Sequence, residues 1–222
     1  MRQRKIFVDR RDAGFEVGKL LEERYKNKNV LVLGIPRGGV AVAYEVANVL
    51  NGELSALITK KLPHPTQQEF AIGAAAEDGS VFITAHANSL SFEEKKRILA
   101  AQIDEIKSRV QRFRKGKPLP DMRNRIVILV DDGIATGSTI VPAIKLCKSK
   151  GAAKVVVAAP VSGKDYVPEI NALADEVVIA HQPQMFFAVG QVYDDFENLD
   201  DAEVIGLLND FQRKSRLTYS QR

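Results

Sequence analysis

Five short apolar runs constrain the fold of this chain more than any other feature of its sequence. They are VLVLGI from Val30, LSALI from Leu54, IVILV from Ile126, KVVVAAPV from Lys154 and EVVIA from Glu176. Each is too short for a helix, and most are rich in β-branched residues, which is typical of buried strands. Helical patterns lie between several of them, as in GVAVAYEVANVL from Gly39. This alternation predicts an α/β fold with a parallel sheet of about five strands flanked by helices on both faces.

The segment from Lys61 to Arg125 interrupts this regularity. It holds a proline-containing loop, strand-like patterns near Ile72 and Val81, and then a long helix. Ser91 and Glu94 have the spacing of a capping box, which predicts where that helix begins. Its apolar residues follow at alternating steps of four and three, at Leu99, Ile103, Ile106, Val110 and Phe113. We expect this narrow seam to pack against its own domain; a homodimer contact is the less favoured interpretation.

Length and composition limit the class of protein. A chain of 222 residues with 45% hydrophobic residues can bury a substantial core, so we expect a single domain over 1–222. In this interpretation 61–125 is an insertion that forms a hood or lid, and 213–222 is a polar, frayed tail. No run approaches the roughly 20 apolar residues that cross a bilayer, and we expect a cytoplasmic protein without membrane contact. The single cysteine, Cys147, is interpreted as a core residue.

Charge is unevenly distributed along the chain. The net charge is +4, yet no Lys or Arg occurs between Asp165 and Gln212, whereas Lys95 to Arg125 is rich in both. A basic band can neutralise nucleic-acid phosphates. The sequence has no zinc finger, aromatic RNA-binding signature or basic zipper. We therefore favour a solvated charged helix over 91–115 and regard a nucleic-acid partner as the weaker interpretation.

The stretch VDDGIATGST from Val130 joins two adjacent carboxylates to a loop of small, hydroxyl-bearing residues. It follows the third apolar run, and ligands of open α/β sheets bind at the carboxyl ends of strands. A helix that begins near Gly137 would offer unpaired N–H groups to a phosphate, beside the hydroxyls of this loop. The stretch lacks both the Gly-Lys-Ser/Thr ending of a nucleotide-triphosphate loop and the G-x-G-x-x-G dinucleotide fingerprint.

The two carboxylates of this stretch need a partner other than a phosphate, which they would repel. Asp131 and Asp132 can accept hydrogen bonds from the vicinal hydroxyls of a sugar. A sugar phosphate therefore satisfies both halves of the motif.

These residues resemble the signature of type I phosphoribosyltransferases, which bind 5-phosphoribosyl 1-diphosphate (PRPP). The resemblance of VILVDDGIATGST to that signature implies that Asp131 and Asp132 bond the ribose 2- and 3-hydroxyls. It also implies that the following loop cups the 5-phosphate. The loop residues concerned are Ala135, Thr136, Gly137, Ser138 and Thr139.

A second stretch, GIPRGGVAVAYEVA from Gly34, resembles the pyrophosphate loop of the same family. The resemblance implies that Gly38 and Gly39 let backbone N–H groups reach the diphosphate and that Arg37 offers its guanidinium group. The family often has a cis peptide bond at this place, which would fall between Pro36 and Arg37, and the sequence does not decide whether it is present. Lys60 and Lys61, after the second apolar run, are either further partners of this anion or ordinary surface residues.

The order of five stretches resembles a poorly characterised bacterial branch of predicted phosphoribosyltransferases over nearly the whole chain. The stretches are DRRDAG, IPRGGVAVA, AIGAAAEDG, VDDGIATGST and AVGQVYDDF. The resemblance implies an enzyme that transfers a phosphoribosyl group from PRPP to a nitrogen heterocycle and releases pyrophosphate, with Mg2+ as cofactor. Asp131, Asp132 and Arg37 would then serve catalysis by holding the donor and its leaving group, because no protein nucleophile is required.

The acceptor is harder to predict than the donor. Ala135 stands where hypoxanthine/guanine enzymes of the superfamily carry an aspartate that handles a purine proton. The stretch FFAVGQVYDDF from Phe186 resembles their base-binding segment, which implies that Phe187 stacks on a base and that Asp194 or Asp195 faces the metal. The alternative is a strand and loop with ordinary packing aromatics. His64, between two prolines, is interpreted as an exposed loop residue near Glu69.

Two other functions remain open on the sequence alone. The first is a PRPP-binding regulator with little or no catalysis, which contacts nucleic acid through its basic helix. The second is an enzyme that acts on another sugar phosphate.

Overall fold

The computed structural model of the protein describes residues 5–67 and 70–219. Its strands are β1 (Leu31–Gly34), β2 (Glu53–Ala56), β3 (Thr59–Pro63), β4 (Ala71–Ala76), β5 (Val81–Ile83), β6 (Ile126–Val130), β7 (Lys154–Val161) and β8 (Glu176–His181). Its α-helices are α1 (Arg10–Tyr25), α2 (Gly38–Leu50), α3 (Phe92–Arg114), α4 (Ile140–Ser149), α5 (Glu169–Leu173) and α6 (Asp201–Tyr219). Short 3-10 helices occupy Ala85–Ser89 and Val189–Val192.

A five-stranded parallel sheet forms the centre of the protein, in the order β2-β1-β6-β7-β8. All five apolar runs predicted as strands belong to it, which confirms the α/β fold. Their side chains alternate between two cores: Val32 and Ile128 pack with α1 and α2, whereas Val127 and Leu129 pack with α4 and α5. Cys147 of α4 is buried in the second core, as predicted.

The sheet order brings the two predicted binding loops together. β1 pairs with β6 so that Gly34 lies opposite Val130, and the N–H of Ile35 donates to the carbonyl of Val130 over 2.9 Å. Parallel strands end at the same edge. The loop after β1 and the loop after β6 are therefore neighbours.

The predicted insertion contains a second, antiparallel sheet of β3, β4 and β5, followed by α3. The sheet begins at Thr59, two residues before the predicted boundary. Helix α3 begins with the predicted capping box, since Ser91 and Glu94 bond each other reciprocally. Of its apolar seam, Ile106 and Phe113 are buried and the other three residues are partly buried against the main core. The seam thus packs against its own protein.

Two long helices were not predicted. Helix α1 has Asp9 as its N-cap and buries Ala13, Val17 and Leu21. Helix α6 runs through Tyr219 and so includes most of the segment predicted as a frayed tail; residues 220–222 lie outside the described part of the chain. Within the described ranges, none of the helices has the length and apolar character needed to span a membrane.

Candidate functional site

The acidic pair after β6 lies directly against the glycine pair that begins α2. A Cβ atom at Gly38 would lie 1.8 Å from Oδ2 of Asp132, and one at Gly39 would lie 2.7 Å from the carbonyl oxygen of Val130 and 2.9 Å from Cα of Asp131. A side chain at Gly39 would meet backbone atoms, and one at Gly38 would displace the Asp132 carboxylate. The glycines are therefore needed for packing against the acids, a reason that the sequence did not reveal.

Each carboxylate of the acidic pair accepts one hydrogen bond from a nitrogen, and the two side chains are also in hydrogen-bonding contact with each other. Oδ2 of Asp132 accepts a hydrogen bond from Nε of Arg10 over 2.8 Å. Oδ1 of Asp131 accepts one from the backbone N–H of Asp132 over 2.9 Å. Among the described residues outside the pair, none donates a hydrogen bond to Oδ2 of Asp131 or Oδ1 of Asp132. The pair thus offers two acceptor oxygens, one on each residue.

The two acids of the pair also influence each other electrostatically. Burial and the neighbouring Asp132 carboxylate raise the pKa of Asp131 well above its usual value, while the ammonium group of Lys61 acts in the opposite direction. Lys61 therefore lies close enough to Asp131 to affect its charge. Additional positive charge at this site would favour the ionised form of Asp131.

The loop between β6 and α4 presents its hydroxyl groups beside the acidic pair. Ser138 is buried, Thr136 is exposed, and their hydroxyl oxygens lie 3.3 Å apart. Gly137 has a φ of +75°, a left-handed conformation that favours glycine. Helix α4 begins at Ile140, three residues later than expected, and its N-cap Thr139 makes no side-chain capping bond. The loop therefore has the hydroxyls and the helix start expected of an anion site.

The loop after β1 carries the residues predicted for the diphosphate. The peptide bond between Pro36 and Arg37 is cis, which the sequence left undecided. Arg37 is exposed at the first turn of α2, and its Nη1 lies 3.7 Å from Oδ1 of Asp201. Its guanidinium group is thus loosely held at the rim of the site.

The two consecutive lysines of β3 have different surroundings, because neighbouring side chains of a strand point to opposite faces. Lys61 affects the pKa of Asp131. Burial lowers the pKa of Lys60, and the guanidinium groups of Arg109, Arg112 and Arg37 act in the same direction. Lys61 therefore belongs with the acidic pair and Lys60 with the arginines of α3.

Three arginines of the basic helix α3 turn towards their own protein. Arg109 bonds Glu105 over 2.9 Å, and Arg112 bonds both Glu105 and Asp201. Arg114 is buried, and its guanidinium group pairs with the carboxylate of Glu77. Part of the positive charge of the basic band is therefore used in ion pairs within the protein.

The segment predicted to bind a base packs on the acidic loop. Val189 lies against Gly133, where a Cβ atom would approach its Cγ1 to 2.4 Å. The hydroxyl of Tyr193 donates to the backbone carbonyl of Asp132 over 2.6 Å. Phe187 is 84% exposed, so its ring is accessible near the site. Its role in stacking stays a prediction.

The predicted metal ligands Asp194 and Asp195 lie near the end of this segment, and both are exposed. Their backbone N–H groups donate to the carbonyl groups of Phe7 and Val8. In the part of the chain that the structure describes, no cluster of three or more His, Cys, Asp or Glu side chains could hold a metal ion. Whether either aspartate faces a metal stays a prediction.

Sequence reasoning missed Arg10 and Tyr193, which hold Asp132 from two sides. A signal for Arg10 existed, since Asp9 precedes apolar residues spaced four apart, which is typical of a capped helix. His64 was interpreted wrongly as exposed: it is buried, and its Nδ1 accepts a hydrogen bond from the N–H of Thr66. Glu69 lies outside the described residues.

Comparison with known proteins identifies the family. A family model of the phosphoribosyl transferase domain matches residues 5–197. The chain belongs to the phosphoribosyltransferase family. Two Mycobacterium tuberculosis proteins, from strains CDC 1551 and H37Rv and each named "Putative phosphoribosyl transferase", are 41% identical to it over 211 residues. These matches cover 92% of this chain and 47% of each relative, so the chain spans about half the length of the curated relatives it matches.

Solved structures share the fold of this chain. The structure of TT1426 from Thermus thermophilus is similar with a TM-score of 0.78 and 38% identity, covering 93% of this chain and 99% of that one. A purine phosphoribosyltransferase from Pyrococcus horikoshii has a TM-score of 0.50 at 15% identity, covering 88% and 98%. The second likeness concerns the fold alone.

Proposed function

We propose that this phosphoribosyltransferase transfers the 5-phosphoribosyl group of PRPP to a nitrogen-heterocycle acceptor and releases pyrophosphate. One observation carries the proposal: Asp131 and Asp132 each present one oxygen that no described residue outside the pair bonds, beside a hydroxyl-lined loop at a helix start. Two neighbouring acceptor oxygens match two vicinal ribose hydroxyls. The adjoining loop matches a 5-phosphate.

In this proposal the protein acts by holding the donor and its leaving group. Breaking the bond between C1 of ribose and the diphosphate develops positive charge on the sugar and negative charge on the leaving group. The acidic pair fixes the ribose, the loop from Ala135 to Thr139 fixes the 5-phosphate, and Arg37 with the glycine loop receives the diphosphate. Lys61, which lowers the pKa of Asp131, can offset negative charge on the acidic pair and on the diphosphate. The segment 61–125 forms the hood over the donor.

The donor set fits Mg2+ that is bound mainly through the substrate. The carboxylate groups of Asp131 and Asp132 are oxygen ligands of the kind that binds Mg2+, and the described residues form no cluster of three or more candidate ligands. Mg2+ often uses one or two carboxylates together with substrate phosphates. When bound, the ion would neutralise charge on the leaving diphosphate.

The acceptor is proposed only by class. Ala135 is exposed and carries no proton-handling group, so the loop offers nothing that selects hypoxanthine or guanine. The exposed ring of Phe187 lies on the segment that packs against Gly133, which supports stacking on a planar heterocycle. The alternatives of a nucleic-acid-binding regulator and of an enzyme for another sugar phosphate gain no support from the described contacts.

Pyrophosphate release tests the activity. The protein is mixed with PRPP, Mg2+ and pooled nucleobases, and pyrophosphate is measured over time. We expect release that requires both PRPP and a base. An enzyme for another sugar phosphate would be supported by a different pair of results. No base pool would then cause pyrophosphate release, and ribose 5-phosphate would raise the melting temperature of the protein whereas PRPP would not.

A double substitution tests the sugar site. We expect Asp131→Asn with Asp132→Asn to weaken PRPP binding by about 100-fold, because two hydrogen bonds to charged groups are lost. Isothermal titration calorimetry measures the affinity, and circular dichroism checks the fold. Asp104→Asn on the exposed surface of α3 is the control and should bind PRPP normally. Unchanged affinity in the double variant would sink the assignment.

Substitution of Arg37 tests the diphosphate loop. Arg37→Ala should weaken binding of inorganic pyrophosphate by about tenfold and leave that of ribose 5-phosphate nearly unchanged, since its guanidinium group lies in the loop after β1. Calorimetry with each ligand separates the two effects. Equal losses for both ligands would argue against this role.

A further inference from the structure

Arg10 is a buried arginine that belongs to no predicted part of the site. Its side chain is 10% exposed. Nε donates to Oδ2 of Asp132 over 2.8 Å, and Nη1 donates to the backbone carbonyl of Glu197 over 2.8 Å. Its guanidinium carbon lies 3.9 Å from the centre of the Phe196 ring. The guanidinium group thus donates two hydrogen bonds and packs with one face against an aromatic ring.

These contacts form a closed ring around Asp132. Phe196, which covers Arg10, stacks on Tyr193 with ring centres 4.9 Å apart. The hydroxyl of Tyr193 donates to the carbonyl of Asp132, and burial, assisted by the Asp132 carboxylate, raises the pKa of Tyr193 so that it stays a donor. Side chain and backbone of Asp132 are therefore held by two different residues of one packed group.

The neighbouring arginine shows what an ordinary ion pair on this helix looks like. Arg11 pairs with Glu45 over 2.7 Å, and its side chain is 69% exposed. Such exposed pairs contribute little to stability or position. Arg10, in contrast, is enclosed and contacts a carboxylate of the proposed sugar site directly.

Arg10 does not occupy the oxygen that a sugar would need. It bonds Oδ2 of Asp132, whereas Oδ1 has no donor among the described residues outside the acidic pair. A ribose hydroxyl can therefore bond Oδ1 without displacing the arginine. This arrangement argues that Arg10 orients the carboxylate and does not block it.

We propose that Arg10 is a positioning residue for sugar recognition, which fixes the Asp132 carboxylate and links it to the segment Tyr193–Glu197. The inference rests on the proposed function, because it takes Asp132 as a ribose ligand. Two donors on one rigid plane are needed, since Nε and Nη1 bond different acceptors. Lysine has one nitrogen and cannot reproduce this hold.

Calorimetry with two ligands tests the role. We expect Arg10→Gln to weaken ribose 5-phosphate binding about tenfold, while inorganic pyrophosphate binding changes less than about twofold. Arg11→Gln is the matched control and should bind both ligands like the wild type. Arg10→Lys, which keeps the charge and provides a second variant if Arg10→Gln folds poorly, should also lose affinity for ribose 5-phosphate. Wild-type affinity in Arg10→Lys would overturn the two-point hold.

A double-mutant cycle separates positioning from a general structural effect. If Arg10 acts through Asp132, Arg10→Gln should add less than about twofold to the loss that Asp132→Asn already causes. A further loss of about tenfold in that background would overturn the proposal. If the wild type binds neither PRPP nor ribose 5-phosphate, the proposed function itself fails; if the wild type binds and Arg10→Gln binds equally well, only the role of Arg10 fails.

Discussion

Substituting Gly38 by alanine should damage the sugar site while leaving the fold intact. The new Cβ would lie 1.8 Å from Oδ2 and 2.4 Å from Cγ of Asp132, and 2.9 Å from Nε of Arg10. Oδ2 must retreat from 1.8 Å to at least 3.0 Å, a movement of about 1.2 Å. That movement would stretch its 2.8 Å bond to Arg10 beyond hydrogen-bond reach.

The size of the loss follows from the bond that is broken. A hydrogen bond to a charged group contributes about 1.5 to 3 kcal/mol, so ribose 5-phosphate affinity should fall by about 10- to 100-fold. Folding should change little, because a short side chain can rotate away and alanine favours a helix over glycine by about 1 kcal/mol. Overpacking around the new methyl group would lower the free energy of unfolding by about 1 to 3 kcal/mol, which opposes the gain in helix propensity.

Two other glycines make this prediction specific. A Cβ at Gly39 would meet the backbone of Val130 and Asp131, which cannot move without opening the sheet, so Gly39→Ala should fail to fold or melt early. Gly206 of α6 has nothing within 4 Å of its Cβ position, so Gly206→Ala should bind normally. Calorimetry and thermal melting test all three. If Gly38→Ala binds ribose 5-phosphate like the wild type, the glycine does not set the carboxylate position.

Three further predictions follow from burial. The pKa of Asp131 is raised in the folded state, so the protonated side chain favours folding and this contribution is lost as pH rises through that pKa. In metal-free urea titrations, Asp131→Asn should therefore raise the free energy of unfolding more at about pH 7.5 than at about pH 4.5. An equal increase at both pH values would refute this. Glu77→Gln should destabilise by about 3 to 5 kcal/mol, because Arg114 is buried against it; a urea titration with no change in midpoint would contradict the reasoning. Burial raises the pKa of the Cys147 thiol, so iodoacetamide should label it only after unfolding, and rapid labelling of the folded protein would disprove its burial.

Elements with a strong local signal could be predicted from the sequence. The five central strands, the capping box at Ser91 and the apolar seam of α3 are local patterns, and the structure contains each of them. Helices α1 and α6 were missed because their exposed faces are rich in charged residues, which masks a narrow buried stripe. His64 was interpreted wrongly because its burial depends on the surrounding loop and not on its own neighbours in sequence.

The sequence by itself determined the chemistry of the acidic loop: two carboxylates after an apolar strand, then small hydroxyl residues before a helix. These residues are contiguous, so their spacing is set by local backbone geometry. The tertiary structure decided which oxygens remain available, because Gly38 and Arg10 reach Asp132 only when β1 pairs with β6 and α1 packs nearby. Arg10 and Asp132 are 122 residues apart in the chain. Long-range packing, which leaves no local pattern, therefore completed a site whose acidic loop was already visible in the sequence.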